Sequence, residues 1–186
     1  MIAAPEKIAF WLLPAAEMRA VLTSLVERLA KHFGAPSFEP HVTLQVAEVD
    51  EQAALGAVRN VCASAGPIEL AISGIEFSPQ YTKTLYLQFR QTPVAHGLSE
   101  AVREALPCTS DYQFNPHLSL LYKDLPEEAK RATAGGIHLP FSRVEFDRVK
   151  VTSTPAEVST AADVAAWQTL GECPLTGGRD RSCGRQ

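Results

Sequence analysis

The sequence predicts a single duplicated domain built from both helices and strands. Its 186 residues are 46% hydrophobic and 20% charged, which is the composition of a globular protein with a sizeable core. At about 150 residues per domain, this length fits one domain or two closely packed lobes. The duplication is visible in a seven-residue motif that occurs twice. Each copy of the motif comes after a segment whose apolar residues are spaced as in an amphipathic helix.

The motif FEPHVTL, at 38–44, recurs as FNPHLSL at 114–120, an offset of 76 residues. The same offset maps the apolar positions of 18–29 onto those of 94–105. In both segments these positions follow the spacing i, i+4, i+7, i+8 and i+11, which is typical of the buried face of a helix. A strand-like run precedes each helix, so each half reads strand, helix, strand. The repeat units span about 7–46 and 83–122.

Further elements are predicted outside the repeat units. Gly34 suits the end of the first helix, and Asp50 is expected to cap a second helix that runs to about Ser64. In chain order the patterns then predict a strand over 67–77, a helix over 126–134, a strand over 144–151 with a bulge, and a strand over 165–173. The domain is expected to span 1–175, and 176–186 to form a flexible tail.

The charge balance restricts the partners. Seventeen basic and 21 acidic residues give a net charge of −4. This charge argues against electrostatic binding of nucleic acid or of an anionic membrane over a large surface. The apolar run from Ile8 to Leu13 follows Glu6 and Lys7, which is not the anatomy of a signal peptide, and no stretch approaches the roughly 20 apolar residues of a membrane span. We expect a cytoplasmic protein that acts as a monomer.

The four cysteines contain no CxxC pair, so the usual zinc and thioredoxin-type patterns are absent from the sequence. In a reducing compartment, Cys62 and Cys173 are expected to be small buried apolar residues. They could pair if the fold brings them together.

The repeated motif carries the candidate chemistry. Alternation along a strand puts His41, Thr43 and Gln45 on one face, and Val42, Leu44 and Val46 on the core face. His117 and Ser119 stand in the same relation in the second copy. A pseudo-twofold arrangement of the two halves would bring two imidazoles and two hydroxyls to one cleft, which suits a tetrahedral anion.

Such a cleft suits phosphodiester cleavage, because one group must take a proton from the nucleophile and another must give one to the leaving oxygen. Two histidines near their ordinary pKa of about 6.5 can hold opposite protonation states near neutrality. Thr43 and Ser119 would donate to the non-bridging phosphate oxygens. No metal or other cofactor is required. Single copies of such a motif are usually structural, whereas two equivalent copies favour a function. The remaining histidines, which would have to complete a metal site, are expected to be structural or on the surface: His32, His96 and His138.

The paired His-x-Thr and His-x-Ser elements resemble the signature of the two-histidine phosphoesterase superfamily. The runs at 36–43 and 116–122 are similar to its plant and fungal cyclic phosphodiesterase branch, and the likeness covers about residues 5 to 175. The resemblance implies a bilobal α+β fold with two antiparallel sheets, outer helices and a central cleft. It also implies hydrolysis of ADP-ribose 1″,2″-cyclic phosphate and nucleoside 2′,3′-cyclic phosphates to monophosphates.

The same resemblance implies roles for seven residues. His41 and His117 correspond to the catalytic pair, with His117 as the base and His41 as the acid. Thr43 and Ser119 correspond to the phosphate-binding hydroxyls. The substrate-contacting aromatic residues would be Tyr122, Trp11 and Tyr81. Tyr122 reaches the cleft only if its strand ends or bulges before it. The branch also contains a cysteine pair where Cys62 and Cys173 lie.

Two alternatives remain open on the sequence. An enzyme acting on 2′,3′-cyclic phosphate ends of RNA or on 2′,5′ linkages should show a basic groove, which the net charge disfavours. A non-catalytic nucleotide-binding module would not need two proton-transfer groups, so the retention of both histidines argues against it.

Overall fold

The computed structural model describes residues 6–177 as a sheet with helices packed outside it. The strands are β1 (Glu6–Pro14), β2 (Val42–Ala47), β3 (Ile68–Phe77), β4 (Leu85–Phe89), β5 (His117–Leu121), β6 (Arg143–Pro155) and β7 (Gln168–Pro174). The helices are α1 (Ala16–Phe33), α2 (Glu51–Ser64), α3 (Pro93–Ala105), α4 (Glu127–Gly136) and α5 (Ala161–Ala165), with a 3₁₀ turn at Tyr81–Lys83.

The strand order is β1-β2-β5-β4-β3-β6-β7, and the pairings are antiparallel. The predicted α+β fold with antiparallel strands is therefore confirmed. The two predicted sheets are continuous with each other, because β6 pairs with β3 along 143–146 and with β7 along 148–153. Strand β1 pairs with β6 as well, so the strands from β1 to β6 close into a ring.

The helices of the two repeat units pack across the boundary between them. Helix α1 of the first unit contacts β5 of the second, and α3 of the second unit contacts β2 of the first. The contacting faces are the predicted apolar stripes, with Leu22 and Val26 of α1 and Val102 of α3 fully buried. This exchange couples the two halves, because a strand of each unit covers part of the other unit's helix.

The predicted helix ends are confirmed. Gly34 ends α1 in the left-handed conformation, at φ 59°, which a glycine adopts without strain. The Asp50 side chain caps α2 by accepting a hydrogen bond of 2.9 Å from the Ala53 backbone N–H.

Two expectations for the C-terminal part were wrong. The last strand begins at Gln168 rather than near 165, because the Thr160 hydroxyl and the Asp163 carboxylate form a capping box that starts the short helix α5. Thr176 and Gly177 are not a loose tail, since their backbone N–H groups each donate a 2.9 Å hydrogen bond to the end of α2, at the carbonyls of Cys62 and Ala65. The rest of the predicted tail, 178–186, lies outside the described residues.

The cysteines within 6–177 are free thiols. Cys62 lies beside Cys173, and its thiol is 3.6 Å from the Cys173 backbone carbonyl oxygen, but no disulfide joins the two. None of the helices in 6–177 is long and apolar enough to cross a membrane.

Candidate active site

Matching bulges in the two motif strands decide which side chains reach the cleft. In β2, Thr43 pairs with Trp11 and Gln45 with Phe10, so Leu44 is an extra residue. In β5, Ser119 pairs with Tyr86 and Leu121 with Leu85, so Leu120 is an extra residue at the equivalent position. Each bulge interrupts the alternation of faces just after the histidine-hydroxyl pair.

These bulges correct the predicted faces. Gln45 does not join His41 and Thr43 in the cleft: it is fully buried, and its amide nitrogen donates a 3.2 Å hydrogen bond to the Ser99 hydroxyl. After each bulge, the side chain that lines the cleft is instead that of Val46 in the first copy and of its equivalent Tyr122 in the second. Strand β5 ends at Leu121, so the structure meets the condition under which Tyr122 reaches the site.

A cavity of about 770 Å³ is lined by side chains from both motif strands. Six of the seven residues predicted for the site line it: His41, Thr43, His117, Ser119, Tyr122 and Trp11. The seventh, Tyr81, does not. Its ring packs 5.9 Å from that of Tyr122, while its neighbours Gln80, Thr82 and Lys83 line the cavity.

Both histidines are held by the same backbone contact. The Nδ1 atom of His41 is 2.7 Å from the carbonyl oxygen of Glu39, and the Nδ1 atom of His117 is 2.7 Å from that of Asn115. A carbonyl oxygen can only accept, so each Nδ1 carries the hydrogen and donates it. The remaining ring nitrogen, Nε2, is thereby the proton-transfer atom of both residues.

The residues that supply these carbonyls are themselves fixed through their side chains. The Glu39 carboxylate forms an ion pair with Lys150 and lies 3.6 Å from the Arg19 guanidinium. The Asn115 amide oxygen accepts a 2.9 Å hydrogen bond from the Gln88 amide nitrogen. These contacts order the short segment before each histidine, which sets the direction of each imidazole.

An aromatic ring on the neighbouring strand supports each imidazole. Trp11, opposite Thr43, stacks on His41 with ring centroids 3.9 Å apart and planes at 14°. Tyr86, opposite Ser119, meets His117 edge-to-face at 5.6 Å and 76°. The sequence reasoning did not find Tyr86. The sequence contains a signal for it, because Tyr86 follows Trp11 by 75 residues and the two motifs are 76 residues apart. Tyr86 is thus the near-equivalent of Trp11 in the first strand of the second repeat.

Burial changes the protonation of the pair. Loss of solvent lowers the pKa of His41 to about 4, with further lowering by His117 and Lys150 and partial compensation by the Glu39 hydrogen bond. Burial and the Lys83 charge also lower the pKa of His117, against the effect of the Asn115 hydrogen bond. The expectation of two pKa values near 6.5 is therefore not met in the ligand-free protein, because burial lowers the pKa of both imidazoles and so favours the neutral form of each.

The Ser119 hydroxyl is held by the 3₁₀ turn at Tyr81–Lys83. The Ser119 hydroxyl donates a 2.7 Å hydrogen bond to the backbone carbonyl of Thr82. It also contacts the Tyr122 hydroxyl, whose pKa burial raises above its usual range, so that Tyr122 is a neutral phenol. Phe38, the first residue of the first motif, stacks on the Tyr122 ring at 4.1 Å.

Trp167 adds a further aromatic wall to the His41 side of the cavity. Its ring meets those of Trp11 at 4.9 Å and His41 at 6.0 Å, both edge-to-face. The indole nitrogen is buried and has no hydrogen-bond partner among residues 6–177. In the sequence Trp167 lies within the range of the family resemblance, about residues 5 to 175, but no motif singled it out.

Other histidines lie elsewhere. His32, His96 and His138 are exposed on or after the outer helices. In the described part of the chain, no group of three histidine, cysteine or acidic side chains is placed to hold a metal ion.

The fold and the motif agree with a family match. The model of the 2′-5′ RNA ligase superfamily matches residues 14–156. The chain belongs to this superfamily. The resemblance to the two-histidine phosphoesterases seen in the paired motifs is confirmed by this match.

Three known proteins illustrate what the chain is similar to. A protein of Arabidopsis thaliana named cyclic phosphodiesterase is 25% identical over 171 residues, covering 89% of this chain and 93% of its own. A protein of Phaeosphaeria nodorum named 2′,3′-cyclic-nucleotide 3′-phosphodiesterase is 29% identical over 160 residues, covering 70% and 80%. The crystal structure of Escherichia coli LigT complexed with 3′-AMP shares the fold at a TM-score of 0.59 and 17% identity, covering 92% and 99%.

Proposed function

We propose that this protein is a cyclic phosphodiesterase that hydrolyses small ribose cyclic phosphates to monophosphates without a metal ion. The substrates would be nucleoside 2′,3′-cyclic phosphates and ADP-ribose 1″,2″-cyclic phosphate. One observation carries the proposal. Two imidazoles, each fixed through Nδ1 to the carbonyl two residues earlier, line one cavity together with two hydroxyls. The names of the Arabidopsis and Phaeosphaeria relatives support the reaction class.

The reaction divides between the two Nε2 atoms. A water oxygen attacks phosphorus while Nε2 of one histidine takes a water proton, and a new P–O bond forms. The P–O bond to one ribose oxygen breaks, and the protonated Nε2 of the other histidine gives its proton to that oxygen. The ring opens to a monophosphate, and each imidazole ends with the charge that the other began with. Thr43 and Ser119 would donate to the non-bridging oxygens, whose charge grows in the transition state. Ser119 has one hydroxyl hydrogen, so its O–H would turn from the Thr82 carbonyl, to which it donates in the ligand-free protein, toward the phosphate.

The acid–base scheme needs one protonated histidine, and substrate binding would cause that histidine to take up its proton from solution. Both histidines are neutral in the ligand-free site because burial lowers their pKa values. An anionic phosphate beside an imidazole favours the charged form and raises its pKa. One proton would therefore be taken up with the substrate.

The charge of the cavity favours a small substrate over RNA. Of the lining residues in the part of the chain that the structure describes, one is a lysine, Lys83, and one is an acid, Glu157. A groove that follows a nucleic-acid backbone needs several cations in a row. The cavity volume of about 770 Å³ is ample for a nucleotide.

The test is a product assignment by phosphorus NMR in excess EDTA. The panel would contain a nucleoside 2′,3′-cyclic phosphate, ADP-ribose 1″,2″-cyclic phosphate and a short RNA with a cyclic phosphate end. We expect both small substrates to yield monophosphates and the RNA to react poorly. Turnover of the RNA alone, or activity that chelation abolishes and one divalent metal restores, would overturn the proposal.

A further inference from the structure

Lys83 holds a distinctive place in the cleft. It ends the 3₁₀ turn at Tyr81–Lys83, and within the described range 6–177 it is the one lysine or arginine that lines the cavity. Its charge is close enough to His117 to affect that imidazole. Lys83 has no role in the proton transfers between the two histidines and the substrate.

The Lys83 side chain is oriented rather than free. Its ammonium nitrogen lies 4.6 Å from the centre of the Tyr86 ring, the geometry of a cation–π contact. The Tyr86 hydroxyl donates a 3.0 Å hydrogen bond to the Glu76 carboxylate, which fixes the ring. The Lys83 carbonyl accepts a 2.8 Å hydrogen bond from the Ser78 hydroxyl, which fixes the turn.

The same turn holds the phosphate-binding hydroxyl of the second motif. The carbonyl of Thr82 accepts the hydrogen bond of Ser119, so the Lys83 backbone directly follows the group that positions Ser119. The turn therefore places the Thr82 carbonyl against the Ser119 hydroxyl and the Lys83 ammonium near His117.

Among residues 6–177, no equivalent cation lines the cavity on the His41 side. Lys150 is close to His41, but it forms ion pairs with Glu39 and with Glu172, and it does not line the cavity. With both imidazoles neutral, Lys83 is the positive charge that the lining offers to an incoming anion. A cyclic phosphodiester carries one negative charge, whereas the monophosphate product approaches two above pH of about 6.

We propose that Lys83 binds the phosphate oxygens of the substrate from the His117 side of the cleft and holds the more highly charged product more tightly than the substrate. This inference rests on the proposed function for its substrate, but its anion site can be measured without turnover. Lys83 would set substrate affinity and product inhibition rather than the rate of proton transfer.

The test compares three variants. Lys83→Met keeps the aliphatic stem and removes the charge, Lys83→Arg keeps the charge, and Lys123→Met removes a charge whose ammonium lies 3.4 Å from the Gly34 carbonyl, outside the cavity lining. The first measurement is calorimetric binding of inorganic phosphate and of a nucleoside monophosphate. Charge-assisted contacts predict a loss of roughly 10-fold in Lys83→Met, and near-wild-type affinity in the other two. Circular dichroism verifies that each variant is folded.

The second measurement is steady-state kinetics on a nucleoside 2′,3′-cyclic phosphate. In Lys83→Met we expect KM to rise by roughly 10-fold, the inhibition constant of the monophosphate to rise more, and kcat to change by less than about threefold. Wild-type phosphate affinity in Lys83→Met, no measurable binding of either anion to the wild type, or a loss confined to kcat would overturn the assignment. A wild type that binds phosphate through Lys83 but cleaves no cyclic phosphate would instead refute the proposed function and leave the anion site standing.

Discussion

Val42 and Leu118 pair with each other across the seam between β2 and β5, although they occupy the same position in the two repeat units. A residue that pairs with its own equivalent marks the pseudo-twofold axis of the duplication. The antiparallel register about this pair sets His41 opposite Ser119 and Thr43 opposite His117. This register sets each histidine near the hydroxyl of the other repeat unit, the arrangement by which, in the proposed function, one phosphate would contact all four side chains.

The first prediction concerns these four side chains. His41→Ala and His117→Ala should each lower kcat by roughly 10² to 10⁴, the usual effect of a positioned acid or base. Thr43→Ala and Ser119→Ala should cost about 10 to 10³, because each removes one donor to the phosphoryl oxygens. The measurement is turnover of a nucleoside 2′,3′-cyclic phosphate, with the exposed His96→Ala as the matched control. A folded His41→Ala or His117→Ala protein with near-wild-type kcat would remove that histidine from the mechanism.

The second prediction concerns Tyr86, which supports His117 through its ring. Tyr86→Leu should lower kcat by roughly 10-fold, because a loosened imidazole loses its alignment with the reacting atoms. Tyr86→Phe keeps the ring and loses the hydrogen bond to Glu76, so its kcat should stay within about threefold of the wild type. Kinetics of the two variants side by side decide this. Equal losses in both would mean that the hydroxyl, and not the ring, is what matters.

The third prediction is a pH dependence of stability that originates at His41. Its pKa falls to about 4 on folding, so between about pH 6.5 and 4 the unfolded chain binds more protons than the folded protein. The free energy of unfolding should therefore decrease as the pH falls through this window, with a contribution of up to about 3 kcal/mol from this one group. Urea unfolding of the ligand-free protein at pH 7, 5 and 4 measures it.

The control for this effect is His41→Gln, a variant that cannot gain the proton. Its loss of stability between pH 7 and 4 should be smaller than that of the wild type. If the two proteins lose the same free energy, His41 is not the group that resists protonation in the fold.

The fourth prediction separates two pH profiles. The profile of kcat/KM reports the free enzyme, whose histidine pKa values are lowered, so the maximum should lie below pH 6.5. The profile of kcat reports the complex, in which the phosphate raises the pKa of the acid, so its alkaline limb should lie at higher pH. Both profiles should be bell-shaped. Coincident profiles, or monotonic ones, would contradict proton uptake with the substrate.

The repeat made most of the fold and the four motif residues predictable, since helix periodicity and a shared offset survive in the sequence. The bulges were not predictable, because Leu44 and Leu120 look like ordinary strand residues. That is why Gln45 was wrongly assigned to the same strand face as His41 and Thr43. Tyr86 and Lys83 escaped notice for a related reason, since their importance depends on a turn and a strand register rather than on a motif. Trp11 and Trp167, which pack around His41, are far from it in the sequence, so its burial and its lowered pKa could not be foreseen.

The central claim is that the two histidines divide the roles of acid and base. The most direct measurement is turnover of a cyclic substrate whose leaving oxygen is replaced by sulfur, which departs with little protonation. Following the similarity to the cyclic phosphodiesterase branch, His41→Ala should recover most of the wild-type rate on this substrate, while His117→Ala should stay slow. Recovery of His117→Ala alone would reverse the two roles and keep the claim. Equal recovery of both variants, or of neither, would contradict it.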